Sequence, residues 1–202
     1  MTLRVFGDSI SGNCLKVKWT LDYLNLPYQW VETSVVDGDT RTPDFLALNP
    51  AGQVPLLILA DGRPLAQSNA ILCYLAEGSN LIPTDAFDRA RMMEWLFWEQ
   101  YSHEPYIAVA RFQVKYLGKP VASLEPRLVE RGHAALARLD HALTDHAYLV
   151  GESVSLADIS LVAYTRMAGD GGFDLAPYAA VRAWIARVEA AINIYDTVAQ
   201  GA

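Results

Sequence analysis

From Leu3 to Ala76, short apolar runs with strand character alternate with segments of helical spacing. Leu3-Arg-Val-Phe reads as a strand, and Asn13 to Leu26 as a helix whose apolar face collects Leu15, Trp19 and the residues from Leu21 to Leu24. Tyr28 to Thr33 alternates again. Thr42-Pro43-Asp44-Phe45-Leu46 opens a short helix with proline in its first turn, and that helix must stop before Asn49-Pro50. Leu56 to Ala60 and Arg63 to Ala66 form a hairpin about Asp61-Gly62, a favoured two-residue turn. Ser68 to Ala76 returns to helical spacing and is closed by Gly78.

Beyond the break at Gly78-Ser79-Asn80 and the segment Leu81-Ile82-Pro83, the strand signals disappear. Phe87 to Leu117 keeps a helical period, either as one bent helix or as two joined near Pro105. Leu124 to Thr144, Ser155 to Ala168 and Ala179 to Ile192 supply further helices. Ser155-Leu-Ala-Asp158 is a capping box with Asp in place of Glu, and Val154 stands where it can staple onto Ile159. The pattern predicts an α/β amino-terminal domain over residues 1–79, a linker over 80–87 and an all-α domain over 88–202. No repeat or low-complexity segment interrupts either half.

Composition narrows the function classes. The chain has 202 residues, half of them hydrophobic, with 19% charged, as in an ordinary globular protein. The longest apolar run, Val54 to Ala60, falls far short of the roughly 20 residues that span a bilayer. The opening Met1-Thr-Leu-Arg-Val-Phe-Gly-Asp lacks a secretory pattern, and two cysteines, Cys14 and Cys73, allow no disulfide framework. The expectation is therefore a cytoplasmic protein with no membrane partner and no metal cluster. A net charge of −7, from 16 basic and 23 acidic residues without any basic run, argues against a nucleic-acid partner. Any anionic ligand must be held by local donors.

Residues 49–68 offer such donors. Proline lacks the amide a sheet ladder needs, so Pro55 belongs at the first residue of a strand or in a special turn. If the Val54–Pro55 bond is cis, Val54 has its own amide and carbonyl to offer an extended ligand. Gln67-Ser68 falls where a helix begins, and unpaired N–H groups there make a natural carboxylate site. The combination points to a peptide-like, anionic small molecule. Simple capping of the helix by Gln67-Ser68 is the competing reading.

The element order, Gln53-Val54-Pro55, Gln67-Ser68-Asn-Ala-Ile-Leu-Cys-Tyr-Leu, the Ser155–Asp158 box and Ser11-Gly12-Asn13-Cys14-Leu15-Lys16-Val17 together resemble the cytosolic glutathione transferase family over essentially the whole chain. Within it, the junction after the first strand is similar to bacterial members of the serine or cysteine type. The resemblance implies a thioredoxin-like domain followed by an all-helical one, a homodimer, and glutathione as co-substrate rather than a bound cofactor. It implies that the Val54 backbone pairs with the cysteinyl unit like an added strand. Gln67 and Ser68 would hold the γ-glutamyl group, with the Ser68 amide and hydroxyl meeting its carboxylate. Gln53 would reach the glycyl end, as would Arg41 unless it is only a solvated helix-start residue.

A free thiol has a pKa near about 8.5, and lowering it by about 2 units takes about 2.7 kcal/mol of preferential thiolate stabilisation. A hydroxyl donor supplies part of this and the positive end of a helix more. In serine-type relatives the position matching Ser11 carries that hydroxyl, so Ser11 is the catalytic candidate; capping of the first helix is its other reading. Asn13 and Ser9 are alternates as donors. Cys14 is an alternate through mixed-disulfide chemistry, or else a small core residue. No tyrosine occupies the junction, and Cys73 among Ile71, Leu72 and Leu75 reads as core.

The segment from Trp95 to Tyr106 is unusually aromatic. By resemblance, the first helix of the second domain lines a cleft for a small hydrophobic electrophile, with Tyr106, Arg111 and Phe112 as candidates. Trp95 and Trp98 read as core or dimer contacts, and His103 beside Glu104 as neighbours pointing different ways. Two further activities fit the same resemblance: glutathione-dependent disulfide reduction or peroxidase chemistry, and a non-catalytic binding or regulatory role on the same fold.

Overall fold

The computed structural model describes residues 2–194, so the last eight residues of the expected helical domain lie outside the described ones. The chain divides into two compact units, Met1–Ser79 and Asn80–Ala202. The first unit runs β1 (Leu3–Gly7), α1 (Gly12–Tyr23), β2 (Tyr28–Glu32), α2 (Pro43–Leu48), β3 (Leu56–Ile58), β4 (Pro64–Ala66) and α3 (Ser68–Leu75). Its sheet has the order β2-β1-β3-β4. β1 and β2 are parallel across the α1 crossover, while β3 pairs antiparallel with both β1 and β4. This is the thioredoxin-like arrangement, with Val5, Leu56, Leu57 and Ile58 buried in the strands and Val17, Leu21, Ile71 and Leu72 in the helices.

Two local features differ from the sequence pattern. α1 ends at Tyr23, three residues before Leu26, because the chain turns over at Asn25 (φ 52°). There the Leu26 N–H donates to Leu21 O at 3.0 Å and the Asn25 N–H to Asp22 O at 3.1 Å, closing a Schellman motif. The hairpin loop holds three residues rather than two. The Leu59 N–H donates to Arg63 O at 2.9 Å and the Gly62 N–H to Leu59 O at 2.9 Å, with Gly62 at φ 90°. Asp61 favours this loop because its carboxylate accepts both the Arg63 N–H and its Nε.

The second unit is helical: α4 (Ala86–Trp98), α5 (Glu104–Arg111), α6 (Pro126–Leu143), α7 (Leu156–Thr165) and α8 (Ala179–Ala191). The long pattern from Phe87 to Leu117 is one near-continuous run widened by π-turns at Glu99–His103 and Phe112–Tyr116. Pro105 explains the first of these. It cannot donate to a carbonyl four residues back, and the wide turn accommodates its ring. All ten residues of α7 are buried, and α7 is shorter than the predicted Ser155–Ala168 because a 3₁₀ turn takes over at Ala168–Gly171. The core alongside gathers Ile107, Leu128, Leu136, Tyr164 and Phe173.

The capping box of α7 is complete. Asp158 accepts from the Ser155 N–H and hydroxyl, both at 2.9 Å, from the Leu149 N–H at 3.0 Å and from Trp184 Nε1 at 2.8 Å. Burial raises the Asp158 pKa, and these four donors oppose the rise. One carboxylate thereby ties α7 to α8 and to the preceding loop. Val154 and Ile159 are both buried beside it.

Candidate functional site

Strand register decides what meets at one end of the first unit. β3 runs antiparallel to β1 with Leu56 opposite Phe6, so Val54-Pro55 lies beside the exit of β1. β4 pairs Ala66 with Leu56, which brings Gln67-Ser68 to the same end. The loop from Asp8 to Ser11 leaves β1 there and enters α1. Ser11, Val54, Pro55, Gln67 and Ser68 are therefore gathered by the sheet itself.

Ser11 is the N-cap residue of α1 by backbone (φ −78°, ψ 125°), yet its side chain makes no capping hydrogen bond. Its hydroxyl instead bonds to the Cys14 thiol, as does the Asp8 N–H at 3.3 Å. Cys14 is wholly buried, and desolvation pushes its thiol up to about 12 against the pull of these two bonds. Buried and held protonated at neutral pH, the Cys14 side chain packs here as a core residue. Ser9 is exposed, with its N–H on Glu32 Oε1 at 2.9 Å. α1 carries no acidic residue in its first turn; the nearby carboxylates are Asp8, which accepts the Ile10 N–H at 3.0 Å, and Glu32.

The Val54–Pro55 bond is cis, and the ladder begins only at Leu56, leaving the Val54 backbone outside it. Asn49 shapes the approach, donating Nδ2 to Gln53 O at 2.8 Å and accepting the Ala51 N–H on Oδ1. Gln53 itself is exposed. Arg41 packs on this loop, since a Cβ on Gly52 (φ 61°) would lie 2.4 Å from its Nη1. Gln67 holds φ 72° and ψ 113° as the N-cap of α3, a costly backbone for a non-glycine residue. Its side chain makes no capping bond. Ser68 is buried, and its hydroxyl donates to Asn13 Oδ1 at 3.0 Å. That same oxygen accepts from Lys16 Nζ at 2.8 Å, so Asn13 joins the heads of α1 and α3. Nothing in the hydrophobic pattern singles out Lys16, which lies fully buried. The only sequence signal is its spacing of three from Asn13 on one helix.

In the second unit, Tyr106 is half-buried on α5. Arg111 is buried and ion-paired with Asp170 at 3.0 Å, its guanidinium also lying 5.7 Å from the Tyr116 ring centroid. Its charge is thus committed within the unit. Phe112 stacks on Tyr116 at 5.1 Å. Trp95 and Trp98 meet edge to face at 5.2 Å with Arg138 over both rings. His103 Nε2 pairs with the Thr165 hydroxyl at 3.0 Å, whereas Glu104 takes Gln100 Nε2, so the two do not form an acid–base pair. Among the described residues, no helix is long and apolar enough to cross a membrane.

A thioredoxin-like sheet that gathers a hydroxyl with no capping role, a cis-proline segment outside the ladder and a helix head, followed by an all-helical unit, is the architecture of a two-unit transferase fold. The chain belongs to the glutathione S-transferase family: family models of the glutathione S-transferase N-terminal and C-terminal domains match residues 10–77 and 97–191. It is similar to glutathione S-transferase 3 of Zea mays, 33% identical over 77% of this chain and 73% of that protein. It is 29% identical to the disulfide-bond oxidoreductase YfcG of Escherichia coli, over 86% of this chain and 84% of that one. A solved glutathione S-transferase from Pseudomonas fluorescens superposes with a TM-score of 0.90 at 48% identity, covering 94% and 95% of the two chains.

Proposed function

We propose that the protein is a cytoplasmic, homodimeric glutathione transferase in which Ser11 activates the glutathione thiol for attack on a hydrophobic electrophile. The observation that carries this reading is the Ser11 hydroxyl, set at the head of α1 without a capping role. A neutral thiol such as Cys14 is a weak acceptor, and an incoming thiolate is a far stronger one, so the hydroxyl would turn to the ligand sulfur. Val54 would pair with the cysteinyl backbone, Gln67 and Ser68 with the γ-glutamyl group, and Gln53 with the glycyl end. The thiolate then forms a carbon–sulfur bond as the leaving group departs with its electron pair, or adds to an activated double bond that afterwards takes up a proton. Tyr106, Arg111 and Phe112 are offered as the helical unit's contribution to electrophile binding, with Arg111 acting through its pairing to Asp170. Exposed Phe97 and Tyr101 support the dimer, since large bare aromatics on one helix run favour burial against a second copy.

The relative named as a disulfide-bond oxidoreductase favours a second reading. There the activated thiolate attacks a disulfide to give a mixed disulfide and a released thiolate, and a second glutathione completes the exchange. Buried Cys14 is no participant in either scheme. Calorimetric titration of glutathione followed by turnover of chlorodinitrobenzene and of hydroxyethyl disulfide tests the proposal. Faster conjugation supports transferase; faster disulfide reduction supports the second reading. Failure to bind glutathione at millimolar concentration would remove both and favour a non-catalytic module.

A further inference from the structure

Lys16 is a fully buried lysine on α1, between the core residues Cys14 and Val17. Taking an ammonium group out of water is strongly unfavourable unless hydrogen bonds and charge compensate, and an aliphatic side chain would fill the same volume without that penalty. What the lysine supplies is directional. Its Nζ donates to Asn13 Oδ1 at 2.8 Å, and that oxygen also accepts the Ser68 hydroxyl at 3.0 Å. Lysine has only donors, so the oxygen of the Asn13 carboxamide must be the atom facing it. Two bonds in series, of 2.8 and 3.0 Å, keep the ammonium within about 6 Å of the hydroxyl at the head of α3. α3 has no acidic residue in its first turn to offset that charge.

We infer that Lys16 is a positioning residue for the carboxylate of the γ-glutamyl group: it locks the Asn13 carboxamide, which accepts the Ser68 hydroxyl and leaves the Ser68 amide as the donor to the ligand, and it places positive charge behind the first amides of α3. The inference rests on the glutathione reading above. A point charge at this depth is screened less than one on the surface, and the hydrogen-bonded chain through Asn13 directs it to the head of α3.

The test is calorimetric titration of the full-length protein and its Lys16→Met and Lys16→Arg variants with two ligands: glutathione, and its analogue lacking the γ-glutamyl α-carboxylate. Lys16→Met is expected to weaken glutathione roughly tenfold, with Lys16→Arg recovering most of the loss. Neither change is expected to alter binding of the decarboxylated analogue. The loss should also shrink in a Ser68→Ala background, because the two residues act through one hydrogen-bonded chain. The pH profile of thiol activation should stay in place. Equal losses for both ligands, or penalties for Lys16→Met and Ser68→Ala that simply add, would reduce Lys16 to a core residue and overturn the inference. If Lys16→Met does not fold, Lys16→Gln takes its place with the two ligands: a glutathione-specific loss supports the role, and equal losses refute it. Wild-type protein that binds no glutathione overturns the functional reading and this inference together, whereas normal wild-type binding with an unaltered Lys16 variant overturns the inference alone.

Discussion

Helix starts in the two units are treated in opposite ways. At α7, Ser155 and Asp158 satisfy one another, and Asp158 adds Leu149 and Trp184 to reach four donors. Every polar atom there works for stability, and the acid sits in the first turn against the positive helix end. At α1 and α3, neither Ser11 nor Gln67 caps its helix and neither first turn holds an acid. Both helix heads therefore lack the acid that α7 carries, and Gln67 is held in a costly backbone (φ 72°), as the proposed glutathione site would require. The contrast teaches that a capping sequence identifies function only by what its side chains decline to bond.

The largest effect should separate the two starts most sharply. Asp158→Ala leaves buried donors of Ser155, Leu149 and Trp184 without their acceptor, so it should cost about 3–5 kcal/mol in urea unfolding. A loss below about 1 kcal/mol would mean the box is not the anchor its geometry implies.

Next comes Cys14. Because burial raises its thiol from 9.0 to about 12, the folded state favours the protonated form. That contribution is complete below pH 9, where the unfolded thiol is protonated too, and disappears as the pH climbs towards 12. Wild type should therefore lose up to about 4 kcal/mol more stability across this window than Cys14→Ala. Parallel curves would show that the thiol is not buried as described, and rapid alkylation of the native protein at neutral pH would say the same.

Ser11→Ala should lower chlorodinitrobenzene turnover roughly a hundredfold, equivalent to about 2.7 kcal/mol, while barely moving the melting temperature. The expected asymmetry follows from its missing cap bond. An unchanged rate would strip Ser11 of its role, and a large stability loss would restore it to ordinary capping. The smallest effect is at Gln67. Gln67→Gly should gain about 0.5–1 kcal/mol in stability by relieving φ 72°, while weakening glutathione. A variant that loses on both counts would place the strain elsewhere.

The sequence pattern made much of this legible. Element order followed from periodicity because each strand and helix keeps its own rhythm, and Val54-Pro55 and Ser155–Asp158 are local motifs whose geometry depends on a few adjacent residues. The loop at Asp61 was harder to read, since a side chain-to-backbone bond chose three residues over two. The short end of α1 depended on Asn25 accepting a positive φ. Arg111 looks like a site residue by position, and only Asp170, 59 residues further on, shows where its charge goes. The link from Lys16 through Asn13 to Ser68 spans 55 residues and leaves no trace in any window of the chain.

The complete burial of α7 has a kinetic consequence. A helix with no solvent-facing side cannot fray one face at a time, so its amides can meet water only when the surrounding bundle opens as a unit. In deuterium exchange, Leu156–Thr165 should be the last segment of the helical unit to take up label, and its rate a direct clock for that opening.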